Sequence, residues 1–358
     1  MGKALYEAAI VNDGRFTICS MYDRQSDADD NLYFPSENFR GFGINKFLFT
    51  EQMIALGTRN DMVILSHINL LPVGWLIKKI SPGTKIILLA HGIEIWQPLN
   101  FQKTNMLRSC DRVLSVSKFT RNKIIHIHGV PEYKCRVLNN CLDPFLPLPS
   151  LHKKNEQLLH KYGFNKEDKI LMTLTRLSSK ERYKGYDKVI EAIAALQAKK
   201  LPVKYLLAGS YDNDEKIFLE KLIAKTRLEE RVLLAGYIDD EELENYFAIA
   251  DIYIMPSRKE GFGIVFIEAM YYGLPVIAGN IDGSADALLN GKLGQLVDPD
   301  NVEEITNAIE KVLTDKNAFI PNAELLIKHF SYEAYKYNLQ ELLKFEKEQN
   351  TKTQSVIS

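Results

Sequence analysis

Along this chain, short apolar runs alternate with longer segments in which apolar positions recur every three or four residues. That alternation predicts strands followed by amphipathic helices, and therefore parallel sheets. In the first part, residues 62–66, 85–90, 112–116 and 136–138 read as strands, with helices expected near 44–56, 74–79 and 118–126. The pattern breaks at Pro144, Pro147 and Pro149, followed by a charged stretch from His152 to Lys169. Proline stiffens a connector and ends regular structure, so residues 146–168 are expected to link two domains. The alternation then restarts, with strands at 169–175, 204–208, 231–235, 252–255 and 275–278. Helices fit 187–199, 215–226, 239–248, 264–272 and 302–314. A last amphipathic segment, 331–348, is expected to pack back toward the first domain, and the polar residues 349–358 to form a disordered tail.

The fold class that follows is α/β, with two Rossmann-like, doubly wound domains over residues 1–145 and 169–330. Open sheets of this kind bind ligands beyond the carboxyl ends of their strands, so two such domains facing each other across a cleft would share a site there. The first domain departs from the pattern at its start. A doubly wound domain normally opens with a buried strand and a glycine-rich turn, whereas Met1-Gly2-Lys3 leads straight into helix-like residues 4–11. The usual first strand is expected to be missing or built differently.

Composition narrows the choices. A length of 358 residues accommodates two cores. The formal net charge of −1 supplies no global field toward nucleic acid, so no nucleic-acid partner is expected. Cys19, Cys110, Cys135 and Cys141 are scattered without metal-ligand spacing, which predicts free thiols in a reducing compartment and no metal site. Residues 1–20 carry Lys3, Glu7, Asp13 and Arg15 and do not read as a signal peptide. The most apolar stretch, 62–77, contains His67, Asn69, Pro72 and Gly74 and is too short to span a bilayer. A cytoplasmic location is expected, at most at the inner face of a membrane. Lys118, Arg121 and Lys123, with Lys78, Lys79, Arg108 and Arg112, make the first domain locally basic. Such a face is either simply solvated or able to meet anionic headgroups as a peripheral membrane contact.

The strongest local signal runs from Pro256 through Glu260-Gly261-Phe262-Gly263-Ile264 to Glu268. It leaves a predicted strand, passes two glycines and enters an apolar helix. Gly261 and Gly263 let backbone N–H groups approach a ligand, and a helix N-terminus favours phosphate there. Glu268 lies on an otherwise apolar helix, where a carboxylate is costly without a partner such as a ribose diol. Glu260 precedes the glycines and is placed to accept hydrogen bonds from sugar hydroxyls. Read alone, the two glutamates are equally compatible with a helix cap and a surface residue. A hydrolytic pair fits less well, because eight helical residues rise about 12 Å against the roughly 5–9.5 Å that paired hydrolytic carboxylates use. A nicotinamide site is a poor fit too, since Gly41-Phe42-Gly43 lacks the third glycine of a dinucleotide fingerprint.

Glu260 and Glu268, with seven residues between them in a Pro-Ser-x-x-Glu-Gly-Phe-Gly setting, resemble the signature of retaining glycosyltransferase family 4, of the GT-B fold. The similarity extends to Thr175-Arg176-Leu177 with Lys184-Gly185-Tyr186-Asp187, to Leu206–Ser210, to 231–238, and to Tyr272-Gly273-Leu274-Pro275. It covers essentially residues 169–314. The resemblance implies a metal-independent hexosyltransferase that moves a sugar from a UDP- or GDP-linked nucleotide sugar to a glycan or lipid-linked saccharide acceptor. It implies retention of anomeric configuration and a place in polysaccharide or glycoconjugate biosynthesis. By the same resemblance Arg176 and Lys184 neutralise the donor diphosphate. Glu260 and the backbone of Gly261, Phe262, Gly263 and Ile264 contact the donor sugar, Glu268 the ribose, and Gly236 and Ile238 border the base. No cofactor is implied beyond the nucleotide sugar as co-substrate. In the first domain, His91-Gly92-Ile93-Glu94 is similar to a family segment whose histidine reaches the transferring sugar. Ser117 reads as a helix cap, and Asn139–Asp143 resembles the element that closes the first domain, with Cys141 in place of a glycine. The short start motivates one alternative, a catalytically silent nucleotide-sugar-binding subunit or truncated paralogue.

Overall fold

Valine, isoleucine and leucine fill both faces of the predicted strands, as parallel strands covered by helices on two sides require. The computed structural model describes residues 1–11, 14–149 and 154–344. It divides into two units, Met1–Leu138 together with the segment from Tyr332 onward, and Asn139–Ser331.

In the first unit, β1 (Ile18–Ser20) and β2 (Phe39–Gly41) pair in parallel as a small separate sheet. Three residues each are too few to show as periodicity, which is why the alternation gives no hint of them. β3 (Met62–Leu65), β4 (Lys85–Ala90), β5 (Arg112–Ser115) and β6 (Cys135–Val137) form a four-stranded parallel sheet in that order. Helices Leu71–Ile80, Phe101–Ser109 and Lys118–His128 alternate with these strands. Ser117 accepts the Thr120 N–H at 3.1 Å and caps the last of them. Helix Gly2–Val11 opens the chain and packs on helix Tyr332–Leu343, where Lys336 pairs with Glu7 at 3.2 Å. The polar residues 349–358 lie outside the described residues.

The second unit holds β7 (Lys169–Leu174), β8 (Val203–Ala208), β9 (Val232–Gly236), β10 (Ile252–Met255), β11 (Val276–Gly279) and β12 (Gln295–Val297). All pairs are parallel and the order is β12-β11-β10-β7-β8-β9. The chain first builds outward through β8 and β9, then returns to β7 and builds the other way. The reversal makes β7 and β10 neighbours, and their carboxyl ends flank the topological switch point where doubly wound sheets bind ligands. Helix Tyr186–Ala198 buries Tyr186, Val189, Ile190, Ile193 and Leu196 along one stripe, the spacing that a 3.6-residue period demands.

The stretch 146–168, read from the sequence as a linker, contributes helix Glu156–Lys161 to this unit. Asn155 caps it through the Leu158 N–H at 3.1 Å, and Leu158, Leu159 and Phe164 are buried. Three apolar anchors among many charges are too few to register as a period. The division between the units accordingly falls at Leu138, ahead of the prolines. Residues 150–153 of that stretch lie outside the described residues.

One buried carboxylate ties this entry segment to the sheet. Asp251, at the start of β10, accepts the Ile170 N–H at 2.9 Å and the ammonium groups of Lys154 and Lys316 at 3.0 Å each. Burial pushes its carboxyl up, but Lys316, the Ile170 N–H and Lys154 together hold it below the ordinary carboxylate range. A depressed carboxyl contributes stability that is complete above its unfolded value near 4 and is lost as pH falls through the folded one. Asp251→Asn is therefore expected to cost about 2 kcal/mol at pH 7, the worth of a hydrogen-bonded charge. In urea denaturation the two proteins should converge in acid.

Candidate functional site

Two loops leave the carboxyl ends of the neighbouring strands β7 and β10. The first carries Arg176 and Lys184. It turns beside β8, where Gly209 sits at φ +130° so close to the Thr175 carbonyl that no side chain fits. Arg176 is 70% exposed and pairs with Glu181. Residues Arg182–Lys184 form one 3-10 turn, and Gly185 (φ +79°) then starts helix Tyr186–Ala198. A Cβ on Gly185 would strike the Pro256 carbonyl. Glycine is thus what allows the first loop to lie against the second.

The second loop runs from Pro256 to Gly263. The Glu260 N–H donates to Asp282 Oδ2 at 2.6 Å, and the Glu260 carbonyl accepts the Gly283 N–H at 2.8 Å. Gly283 has no room for a side chain, since a Cβ would meet the Gly261 carbonyl. Asp282 is buried, and its Oδ1 accepts the Ser284 N–H at 2.9 Å. Burial raises its carboxyl to about 6 despite those hydrogen bonds. The backbone of Glu260 is thereby clamped on both sides while its side chain turns to Lys184. The two form an ion pair in which Lys184 is 14% and Glu260 16% exposed. Gly263 (φ +85°) begins helix Ile264–Tyr271.

Glu268, on that helix, is the opposite case. Burial, then Asp240 and Asp143, push its carboxyl up to about 7. Among the described residues, no hydrogen bond or ion pair reaches that carboxylate. A largely buried acid group in the company of two others is held there at a cost, and a pair of hydroxyl donors would relieve it.

The remaining residues singled out from the sequence separate into backbone and side-chain roles. The Phe262 ring is buried and packs edge-on against Phe330 at 5.5 Å. Ile238 is also buried, whereas Ile264 is exposed at the helix start. Phe262 and Ile238 therefore offer a ligand main-chain atoms only. Gly236 (φ +76°) ends β9, and its carbonyl accepts the Gly209 N–H at 2.7 Å, leaving Tyr237 exposed beside it. His91 belongs to the first unit, at the end of β4. Its Nε2–H donates to the Ser66 carbonyl at 2.9 Å, and its backbone N–H donates to Glu94 at 2.6 Å.

Several of the cations read as a basic face have partners within the unit or are buried. Lys78 pairs with Asp111 at 2.9 Å, Arg121 with Glu132 at 2.7 Å, Arg108 donates to the His128 carbonyl at 2.7 Å, and Arg112 is buried. The four cysteines are free. Among the described residues, no cluster of His, Cys, Asp and Glu is arranged to hold a metal ion, and no helix is long and apolar enough to cross a membrane. The sequence reading missed Asp282 and Gly283; an Asp-Gly turn after a strand was their only signal.

Two family models match the chain. The family model "Glycosyl transferases group 1" matches residues 154–337, and "Glycosyltransferase Family 4" matches 16–144. The chain is 30% identical over 244 residues to the GDP-mannose-dependent alpha-(1-6)-phosphatidylinositol monomannoside mannosyltransferase of Mycolicibacterium smegmatis, covering 64% of this chain and 61% of that one. It is 27% identical over 204 residues to mannosylfructose-phosphate synthase of Agrobacterium fabrum, covering 55% and 44%. The chain thus spans less than two thirds of the length of either relative. Among solved structures, Anabaena HepE in complex with UDP and glucose superposes with a TM-score of 0.75 at 19% identity over 96% of both chains. Sucrose-phosphate synthase from Thermosynechococcus elongatus gives 0.72 at 20% identity over 95% and 91%. These likenesses place the fold in the GT-B class.

The uncompensated Glu268 carboxyl yields a direct test. Its folded value lies above the unfolded value of 4.5, so in the free protein it costs stability increasingly as pH rises from there through about 7. Glu268→Gln should therefore be more stable than the parent at pH 8, by roughly 3 kcal/mol. The difference should vanish near pH 4 in urea titrations.

Proposed function

Because this chain belongs to the glycosyl transferases group 1 family, we propose that it transfers a hexose from a UDP- or GDP-linked nucleotide sugar to a saccharide acceptor. The observation that carries the reading is the pairing of Lys184 with the clamped Glu260 on the loops that leave the switch-point strands β7 and β10, followed by a helix that carries the unpartnered Glu268. Each has a role in which its chemistry fits. Lys184 and Arg176 supply positive charge to a diphosphate, with the N–H groups at the start of helix Ile264–Tyr271 adding to it. Glu260 accepts hydrogen bonds from the sugar hydroxyls, and the Glu268 carboxylate accepts them from a ribose diol. Gly236 and Ile238 border the base through their main chain.

In the transfer step the bond between the anomeric carbon and the phosphate oxygen breaks, and nucleoside diphosphate departs. The acceptor oxygen bonds to the same face of that carbon, and its proton passes to the leaving phosphate, so configuration is retained. Fixed cations and backbone dipoles placed where charge develops supply the main stabilisation, without solvent having to reorganise. This route needs no metal ion. The proposed acceptor is a glycan or a lipid-linked saccharide.

The test is a screen of UDP- and GDP-linked sugars for binding and for release of nucleoside diphosphate. Lys184→Ala and Glu260→Ala should each lower turnover at least about a hundredfold, the scale of losing one electrostatic contact in a transition state. Both variants should keep the parent's melting profile, and turnover by the parent should survive a chelator. Full activity in both variants overturns the assignment.

A further inference from the structure

The loop that carries Arg176 and Lys184 is long and its tip is exposed, so an unanchored version would lose conformational entropy on meeting a ligand. It is anchored on two sides: the Tyr183 carbonyl accepts the Arg258 N–H of the second loop at 2.8 Å, and a second set of anchors lies at the start of helix Asn213–Thr226. Asp212 caps that helix, with its Oδ1 accepting the Glu215 N–H at 2.8 Å. Its other oxygen accepts the Ser178 hydroxyl at 2.9 Å and the Ser179 N–H at 3.0 Å. One turn further on, Glu215 is 0% exposed, an uncommon position for a carboxylate. Its Oε2 accepts Arg182 Nε–H at 2.8 Å, and its Oε1 accepts the Tyr186 hydroxyl at 2.8 Å. The Arg182 guanidinium also lies 3.7 Å from the centre of the Phe218 ring, on the same helix.

The sequence positions make the arrangement pointed. Arg182 and Tyr186 stand two residues before and two residues after Lys184. The backbone that presents Lys184 to Glu260 is thus tied on both sides to one buried carboxylate. A buried ion pair is a poor way to gain stability, since apolar residues of similar volume often serve as well. What an apolar substitute lacks is directional contact with two points of the loop.

We infer that Glu215 is a positioning residue for donor binding, holding Lys184 through Arg182 and Tyr186 so that its ammonium group is in place before a diphosphate arrives. Asp212 does the same for the arm of the loop that follows Arg176. The inference rests on the proposed donor role of Lys184 and adds to it a residue that touches no ligand.

The experiment is calorimetric titration of UDP and GDP, and of uridine and guanosine, into the parent, Lys184→Ala, Glu215→Gln and the double variant. For whichever diphosphate binds, Lys184→Ala and Glu215→Gln should each weaken affinity about tenfold, while Glu215→Gln adds less than about twofold on the Lys184→Ala background. Affinity for the corresponding nucleoside should be unchanged throughout. Equal loss from Glu215→Gln on both backgrounds, or loss of nucleoside affinity as well, overturns the positioning role and leaves that of Lys184 standing. Unchanged affinity in Lys184→Ala instead removes the donor role itself, and this inference with it. Arg182→Gln, at the exposed end of the same pair, repeats the cycle should Glu215→Gln fail to fold; additivity with Lys184→Ala contradicts the inference there too.

Discussion

The ion pair between Lys184 and Glu260 is the contact around which the second unit's loops are arranged. It joins two segments that leave adjacent parallel strands in the same direction, and neither segment reaches the other by secondary structure alone. Glycine appears wherever backbones must come close for the pair to form. Gly185 lies against Pro256, Gly209 against Thr175, and Gly283 against Gly261. A largely buried ion pair gains little net stability over apolar residues of similar volume, too little to justify so many constraints as a stabilising device. The pair is better understood as fixing where a positive and a negative charge stand relative to each other at the end of the sheet.

Two glutamates eight positions apart are treated differently by the fold. Glu260 is compensated at every level, with its N–H and carbonyl clamped and its carboxylate paired. Glu268 has a carboxylate with no such partner and two acidic neighbours. Sites that must bind a ligand often carry groups that the free protein would be more stable without. The contrast therefore separates a residue held in place from a residue left wanting donors. Arg176 and Lys184 show the same division in milder form, one exposed on its local partner Glu181 and the other packed beneath the loop.

Much of this was legible in the sequence because it depends on short-range pattern. The strands around the switch point are continuous apolar runs, and the glycines flanking Glu260 announce a turn into a helix. What could not be read depends on contacts between distant segments. Asp282 reaches Glu260 from 22 residues away, and Glu215 reaches Arg182 from 33. Nothing local to Glu215 distinguishes it from a surface residue, and the Asp-Gly turn at Asp282 gives no hint of its partner. The sequence puts Phe262 and Ile238 in the loops of interest, yet only the fold shows their side chains turned into the core. The partners of several basic residues of the first unit, Asp111 and Glu132 among them, were hidden for the same reason. The helix at 156–161 was hidden by the charges around it.

The most direct measurement is a crystal structure of the chain with bound nucleoside diphosphate, chosen as UDP or GDP by whichever binds in solution. The diphosphate is expected over Lys184 at the start of helix Ile264–Tyr271, with the ribose hydroxyls on the Glu268 carboxylate. Nucleotide density elsewhere, with Lys184 and Glu260 still paired and Glu268 still without donors, would contradict that placement.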